Sequence, residues 1–205
     1  MSQITSGFRS VLSKPLVYDF FQYLLGAKQW RQNFINQFVL PEPNNRILDI
    51  GCGTAKILKH LPSSISYYGF DADPKYIYAA KKEFGNKGKF ICANIKEAKF
   101  DNLKSFDIVL AIGVLHHLSD SEARSLVKLA HKKLKIGGRL ITADPCLTAK
   151  QNPLARYLIL NDRGQNVRSS KNYHILTKNI FSYSKGTILH RNWIPYTHWL
   201  MECKK

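Results

Sequence analysis

The 205-residue sequence predicts an α/β fold: a doubly wound, mostly parallel sheet with helices on both faces. Three observations predict it. Short apolar runs alternate with helix-length amphipathic segments between residues 46 and 143. The first run, Arg46-Ile47-Leu48-Asp49-Ile50, passes straight into a turn holding Gly51 and Gly53. The second run ends on an acid, Asp71, which lies 20 residues beyond Gly51.

Residues 1–43 are expected to form an N-terminal helical cap. Val17, Phe20, Phe21, Leu24, Phe34, Ile35 and Phe38 recur at helical spacing over 15–39. Pro15 suits a helix start, and Gly26 divides the stretch. Such a helix packs its apolar side on the domain; as a lid it would bring Tyr18 or Trp30 to a ligand. Pro41 and Pro43 then punctuate the chain.

Residues 44–145 are expected to be a binding core. Strands are predicted at 47–50, 67–70, 90–93, 106–111 and 139–143. A helix is predicted at 54–60. Another runs from Pro74 to 84, with Asp73 as its cap and Gly85 and Gly88 ending it. A third, at 119–135, is opened by Ser119 or Ser121, turns Leu126, Leu129 and Leu134 inward, and is stopped by Gly137-Gly138. Residues 146–205 are expected to supply substrate-side helices and a closing hairpin. A helix at 152–160 leads into a turn at 161–165. Asn172 opens a helix to 181, and strands at 187–193 and 197–202 flank Pro195. No repeat or low-complexity segment interrupts this order, and the whole length reads as one domain.

With 44% apolar residues the chain can bury a full core. The net charge is +17, and residues 146–205 hold ten Lys or Arg against Asp162 and Glu202. A basic surface suits anionic partners such as nucleic acid, phosphorylated metabolites or acidic headgroups, although these lysines are scattered rather than gathered into an arm. Cys52, Cys92, Cys146 and Cys203 lie far apart and in or beside apolar runs. They read as buried hydrophobes in a reducing compartment, not as disulfide partners or zinc ligands. No signal peptide or membrane-length apolar stretch is evident, so a cytoplasmic protein with no metal is expected.

Glycine lets a backbone come close to a ligand. An acid closing the second strand can accept hydrogen bonds from both hydroxyls of an adenosine ribose. A dinucleotide fingerprint would need a third glycine where Lys56 stands. The stretch Asp49-Ile50-Gly51-Cys52-Gly53-Thr54-Ala55 instead resembles motif I of the class I S-adenosylmethionine-dependent methyltransferases, with Ala55 in place of the last glycine. Gly69-Phe70-Asp71-Ala72-Asp73-Pro74 resembles the second motif. Residues 107–118, Asp-Ile-Val-Leu-Ala-Ile-Gly-Val-Leu-His-His-Leu, resemble motif IV of the small-molecule members, and Leu134-Lys135-Ile136-Gly137-Gly138 resembles the turn before the fifth strand.

The resemblance covers residues 45–145 by motif and the rest by layout. It implies a Rossmann-like, seven-stranded sheet whose strand seven inserts antiparallel beside strand five. It implies S-adenosylmethionine as cofactor, S-adenosylhomocysteine as product, and a cradle of Asp49, Gly51, Cys52 and Gly53. Asp71 would hold the ribose, Ala72 would flank the adenine, and Asn94 and Ile95 would stand where an acid usually meets the adenine amino group. Backbone carbonyls at Ala111 and Ile112 would face the cofactor's amino group.

Methyl transfer from a sulfonium needs alignment and exclusion of water. A base is needed only where the acceptor is a hydroxyl. His117 and Asp144 are the candidates for that work. His116 is expected to pack under the cofactor or border the acceptor. Arg163 and Arg168 suit a phosphate or carboxylate, and residues 161–168 resemble a loop of methyltransferases associated with glycan and lipid-linked sugar pathways. No signature of a nucleic-acid base methyltransferase is present. The expected function is methylation of a small molecule, at oxygen rather than nitrogen, the acceptor being anionic or glycan- or lipid-linked. An RNA methyltransferase using the basic surface and a non-catalytic cofactor-binding scaffold stand as alternatives.

Overall fold

The computed structural model describes residues 27–94, 103–161, 164–191 and 196–205. The fold is α/β, and the described residues form an eight-stranded, mostly parallel sheet flanked by helices. The described residues divide into two compact units, 27–110 and 111–205.

In the first unit, helix α1 (Ala27–Phe34) runs into one π-helical turn over Ile35–Val39. Trp30 stacks on Phe34 at 5.0 Å between ring centroids, and Phe34, Ile35 and Val39 are buried. Leu40 ends the turn in the left-handed region, its N–H donating to the Ile35 carbonyl. Tyr18 and Gly26 lie outside the described residues.

Strands β1 (Arg46–Ile50), β2 (Ser66–Asp71), β3 (Lys89–Cys92) and β4 (Phe106–Ile112) follow. β1 pairs in parallel with β2 on one side and β4 on the other, and β2 pairs in parallel with β3. Chain order therefore reverses at β1. In open α/β sheets the crevice beyond the strand ends at such a reversal is where ligands bind. Ile47, Leu48, Asp49 and Ile50 are all buried, which is why β1 reads as an unbroken run rather than an alternation.

Helix α2 (Pro74–Phe84) starts as expected: the Asp73 side chain accepts from the Lys75 N–H, and Pro74 fills the first turn. Ile77, Ala80 and Phe84 share its buried side. The helix expected at 54–60 is instead a 3₁₀ turn over Lys56–His60. Ala55, just before it, is left-handed at φ 54°, so only five residues remain for the helix, too few for α-helical bonding to build on.

In the second unit, helix α3 (Asp120–Lys133) opens with a reciprocal capping box between Ser119 and Glu122. It ends two residues earlier than expected because Leu134 already belongs to β5 (Leu134–Leu147), which also continues past residue 143. The continuation past 143 follows from pairing: strand β8 (Tyr196–Lys204) pairs with β5 from Arg139↔Lys204 to Pro145↔His198. The final strand thus lies antiparallel beside β5, and β7 (Tyr183–Arg191) pairs antiparallel on its far side. Trp193 and Pro195 lie outside the described residues.

Helix α4 (Pro153–Leu160) is capped by Asn152. Helix α5 (Ser170–Thr177) is capped by Ser169 and not by Asn172, and it stops at Thr177 rather than 181. The cause is a two-residue strand, β6 (Arg168–Ser169), paired in parallel with β5 at Cys146 and Leu147. It holds Ser169 extended, the conformation a cap requires. β6 is the strand beyond the seven expected. All four cysteines are free thiols.

Candidate functional site

The first unit builds a cradle at the carboxyl end of β1. Gly51 and Gly53 have φ of 76° and 53°, values that glycine takes without strain. A side chain at Gly53 would meet no atom within 4 Å, so its backbone borders open space. The Gly51 and Cys52 N–H groups both donate to the Phe70 carbonyl, at 2.7 and 2.9 Å, tying the turn to β2. Gly69 is needed for close approach, since a Cβ there would lie 2.8 Å from the Cys52 sulfur. Ala55, unlike a glycine there, bears the cost of a left-handed torsion, about 1–2 kcal/mol.

Asp71 closes the cradle. One carboxylate oxygen accepts from the Gly53 N–H at 2.9 Å, and the other from the Asp73 N–H at 2.9 Å. Each oxygen has a second lone pair, so the group can hold its turn and still accept from a ligand. Burial pushes its pKa up, and the two backbone N–H bonds pull the other way. Ala72 is half-buried, its carbonyl near Cys92, and Asn94 is exposed. Ile95 lies outside the described residues.

Beneath the turn sits Asp49, 3% exposed. It accepts from the Tyr67 hydroxyl at 2.6 Å. Burial raises its pKa to about 7, against the Tyr67 bond that lowers it, with the charge of Asp71 raising it further. Burial, followed by the charge of Asp49, pushes the Tyr67 phenol and the Cys52 thiol well above their ordinary values. Tyr67 was not expected as part of this group. Its position inside a predicted strand marked it only as core.

The second unit carries a separate polar cluster. Ala111 is fully buried and Ile112 half-buried at the end of β4, and the Gly113 N–H donates to the Ala143 carbonyl at 2.7 Å. A 3₁₀ turn over Leu115–His117 follows. His116 Nδ1 lies 2.8 Å from Asp144 Oδ1, and the His116 backbone N–H donates to the same oxygen at 3.2 Å. A carboxylate only accepts, so Nδ1 carries the proton of that bond. Both residues are buried. Asp144 Oδ2 is buried with no hydrogen-bond partner among the described residues. His117 is also buried, its ring 4.0 Å from that of His116. The structure brings Asp144 to His116. The sequence offers His117 and Asp144 as candidates without pairing them, and it does not say which histidine of the 3₁₀ turn meets β5.

Arg168 is buried and surrounded by oxygens. Its guanidinium donates to the Leu115, Leu118 and Asn166 carbonyls and pairs with Asp120 at 2.7 Å. It is thus not available for a phosphate or carboxylate ligand, as its sequence context had suggested. Arg163 lies outside the described residues. Among the described residues no cluster of three or more His, Cys, Asp or Glu is placed to hold a metal ion, and no helix is long and apolar enough to cross a membrane.

Residues 48–142 match the family model described as a methyltransferase domain. The chain is 32% identical over 121 residues to the probable tRNA methyltransferase 9B of Mus musculus, across 57% of this chain and 25% of the relative. It is 33% identical over 135 residues to the uncharacterized methyltransferase YodH of Bacillus subtilis (strain 168), across 62% of this chain and 55% of the relative. The chain thus spans only part of the length of these relatives. Among solved structures, the pyocyanin biosynthetic protein PhzM aligns with a TM-score of 0.74 at 15% identity, over 98% of this chain and 63% of that one. The plantazolicin methyltransferase BpumL in complex with S-adenosylhomocysteine aligns at 0.65 and 17%, over 96% and 90%. At such identities the likeness is one of fold.

Proposed function

We propose, from the match of residues 48–142 to the methyltransferase-domain family, that the chain is a class I, S-adenosylmethionine-dependent methyltransferase and that it methylates an oxygen of a small acceptor. One observation carries the choice of oxygen. Asp144 spends one carboxylate oxygen on His116, while its other oxygen is buried with no partner among the described residues. A buried oxygen of this kind is costly unless something donates to it. A hydroxyl acceptor is a donor of the right type, and the His116–Asp144 pair is a base that can take its proton.

The cradle fits the cofactor by its own chemistry: open space at Gly53, and a carboxylate at Asp71 with acceptor capacity in reserve. S-adenosylmethionine, when bound, supplies a methyl group already activated by its sulfonium charge. The chain's residues then have three tasks. Gly51, Cys52 and Gly53 give backbone access, with Asp49 beneath them. Asp71 accepts from the ribose hydroxyls while Ala72, Asn94 and Ile95 border the adenine. The Ala111 and Ile112 carbonyls receive the amino group. On the acceptor side, Asp144 Oδ2 receives the hydroxyl proton, and His116, its Nδ1–H on the other oxygen, holds the carboxylate in place. His117 borders the acceptor in this reading.

A labelled-methyl assay on cell extract, divided into RNA, lipid and small-metabolite fractions, tests the reading. Label in a small-metabolite or lipid-linked product as an alkali-stable ether or a labile ester supports it. Label on nitrogen refutes it. Label in RNA supports a second reading, favoured by the net charge of +17 and by the tRNA methyltransferase named among the relatives. The absence of label from every fraction would favour a cofactor-binding scaffold.

A further inference from the structure

We propose that Arg168 is a positioning residue: with Gly164 it makes the segment 164–169 a strap that seats His116 against Asp144. The inference deepens the oxygen-methylation reading and rests on it for the role of His116, though not for the geometry.

The turn over Leu115–His117 is short, and a 3₁₀ turn holds its residues weakly. Leu115 and Leu118 are buried, and within the turn the Leu115 carbonyl takes a long bond from the Leu118 N–H, at 3.2 Å. Arg168 adds shorter ones. Its Nη1 donates to the Leu115 carbonyl at 2.7 Å, immediately before His116, and its Nη2 to the Leu118 carbonyl at 2.7 Å, immediately after His117. One planar guanidinium thus spans the two histidines and fixes both ends of the turn. Nη1 also holds the Asn166 carbonyl at 3.0 Å, and Nε binds Asp120 at 2.8 Å. The whole fork is engaged, a pattern that a lysine ammonium cannot copy. The guanidinium is itself located from behind: it lies 5.7 Å from the Tyr173 ring centroid, and the Tyr173 hydroxyl donates to the Pro145 carbonyl beside Asp144.

The strap's other end lies on His116. The Asn166 N–H donates to the His116 carbonyl at 2.9 Å. Gly164 packs so closely that a Cβ there would fall 2.0 Å from His116 Cδ2 and 2.8 Å from its carbonyl oxygen. Only a residue without a side chain lets the strap lie there. His116 is therefore gripped on its ring by Gly164, on its carbonyl by Asn166, on its Nδ1 by Asp144, and through its turn by Arg168. Because Asp120, the other partner of Arg168, is 82% exposed, that ion pair adds little stability. The bonds to the Leu115 and Leu118 carbonyls are what place the turn, and the bond to the Asn166 carbonyl ties the strap to the same guanidinium.

The test is imidazole NMR of the full chain labelled with ¹⁵N-histidine, read beside steady-state kinetics. In the native protein His116 is expected to show a protected Nδ1–H signal, assigned by its loss in H116Q. In R168Q and in R168K that signal should broaden or vanish. Where an acceptor is in hand, kcat should fall by roughly ten- to a hundredfold, with the KM for S-adenosylmethionine within about twofold. A folded R168Q with the His116 signal intact would overturn the proposal, and so would full rescue by R168K. Should both Arg168 variants fail to fold, G164A decides: displacement of the signal supports the strap, and an unchanged signal refutes it. The NMR result stands whether or not an oxygen acceptor is found, so failure of the functional reading and failure of the positioning role are told apart.

Discussion

At the residue scale, the two acids of the cradle differ in work and in legibility. Asp71 was readable because its spacing from Gly51 fixes it at the end of β2. D71A would leave the Gly53 and Asp73 N–H groups without their acceptor and remove the proposed ribose contact. We expect cofactor affinity to fall by about 1–3 kcal/mol in calorimetry, and an unchanged affinity would remove Asp71 from the site. The environment of Asp49 was not readable, since nothing in the sequence places the Tyr67 hydroxyl over it. With a native pKa of about 7 against 3.8 unfolded, the native state binds the extra proton between these values. Its contribution is full below pH 3.8 and is lost as pH rises through 7. D49N keeps an oxygen for Tyr67 but cannot titrate. Native-minus-D49N stability, from urea unfolding, should therefore decline with rising pH across that window, by up to about 1.4 kcal/mol per unit. A flat or rising difference would contradict the burial argument.

At the element scale, local rules predicted starts better than ends. Asp73-Pro74, Ser119 with Glu122, and Asn152-Pro153 each carry their cap in sequence, and each opens a helix where expected. Removing the hydroxyl in S119A should cost about 1 kcal/mol, measured as a shift of the denaturation midpoint; no shift would mean that the box is spent on solvent. Tertiary pairing set the elements that sequence missed. β5 runs past 143 because β8 and then β6 are there to pair with it, and Ser169 displaces Asn172 as cap because β6 holds it extended. The hairpin hides one more such constraint. Gly186 lies under the Trp199 ring, where a Cβ would sit 1.8 Å from a ring carbon. G186A should destabilise the fold by about 1–3 kcal/mol through overpacking. Thermal unfolding at unchanged midpoint would show that the ring moves freely aside.

For the whole molecule, the sheet order follows from alternation and motif order, and the late antiparallel strand from resemblance. The acceptor does not follow from either, because it depends on how single side chains such as His116 and Asp144 meet. Charge separates the two readings of function. If RNA is the acceptor, retention should fall steeply between about 50 and 200 mM salt as phosphate counterions are traded for Lys and Arg; a small-acceptor methyltransferase with a merely solvated basic surface shows no such retention near physiological salt.

Everything turns on whether the glycine turn and Asp71 receive adenosine. Titration calorimetry of the full chain with S-adenosylhomocysteine reads this directly, without any acceptor. Saturable one-to-one binding that D71A weakens and that R168Q leaves intact is the predicted result. No binding by the folded native chain, or binding indifferent to Asp71, would contradict it.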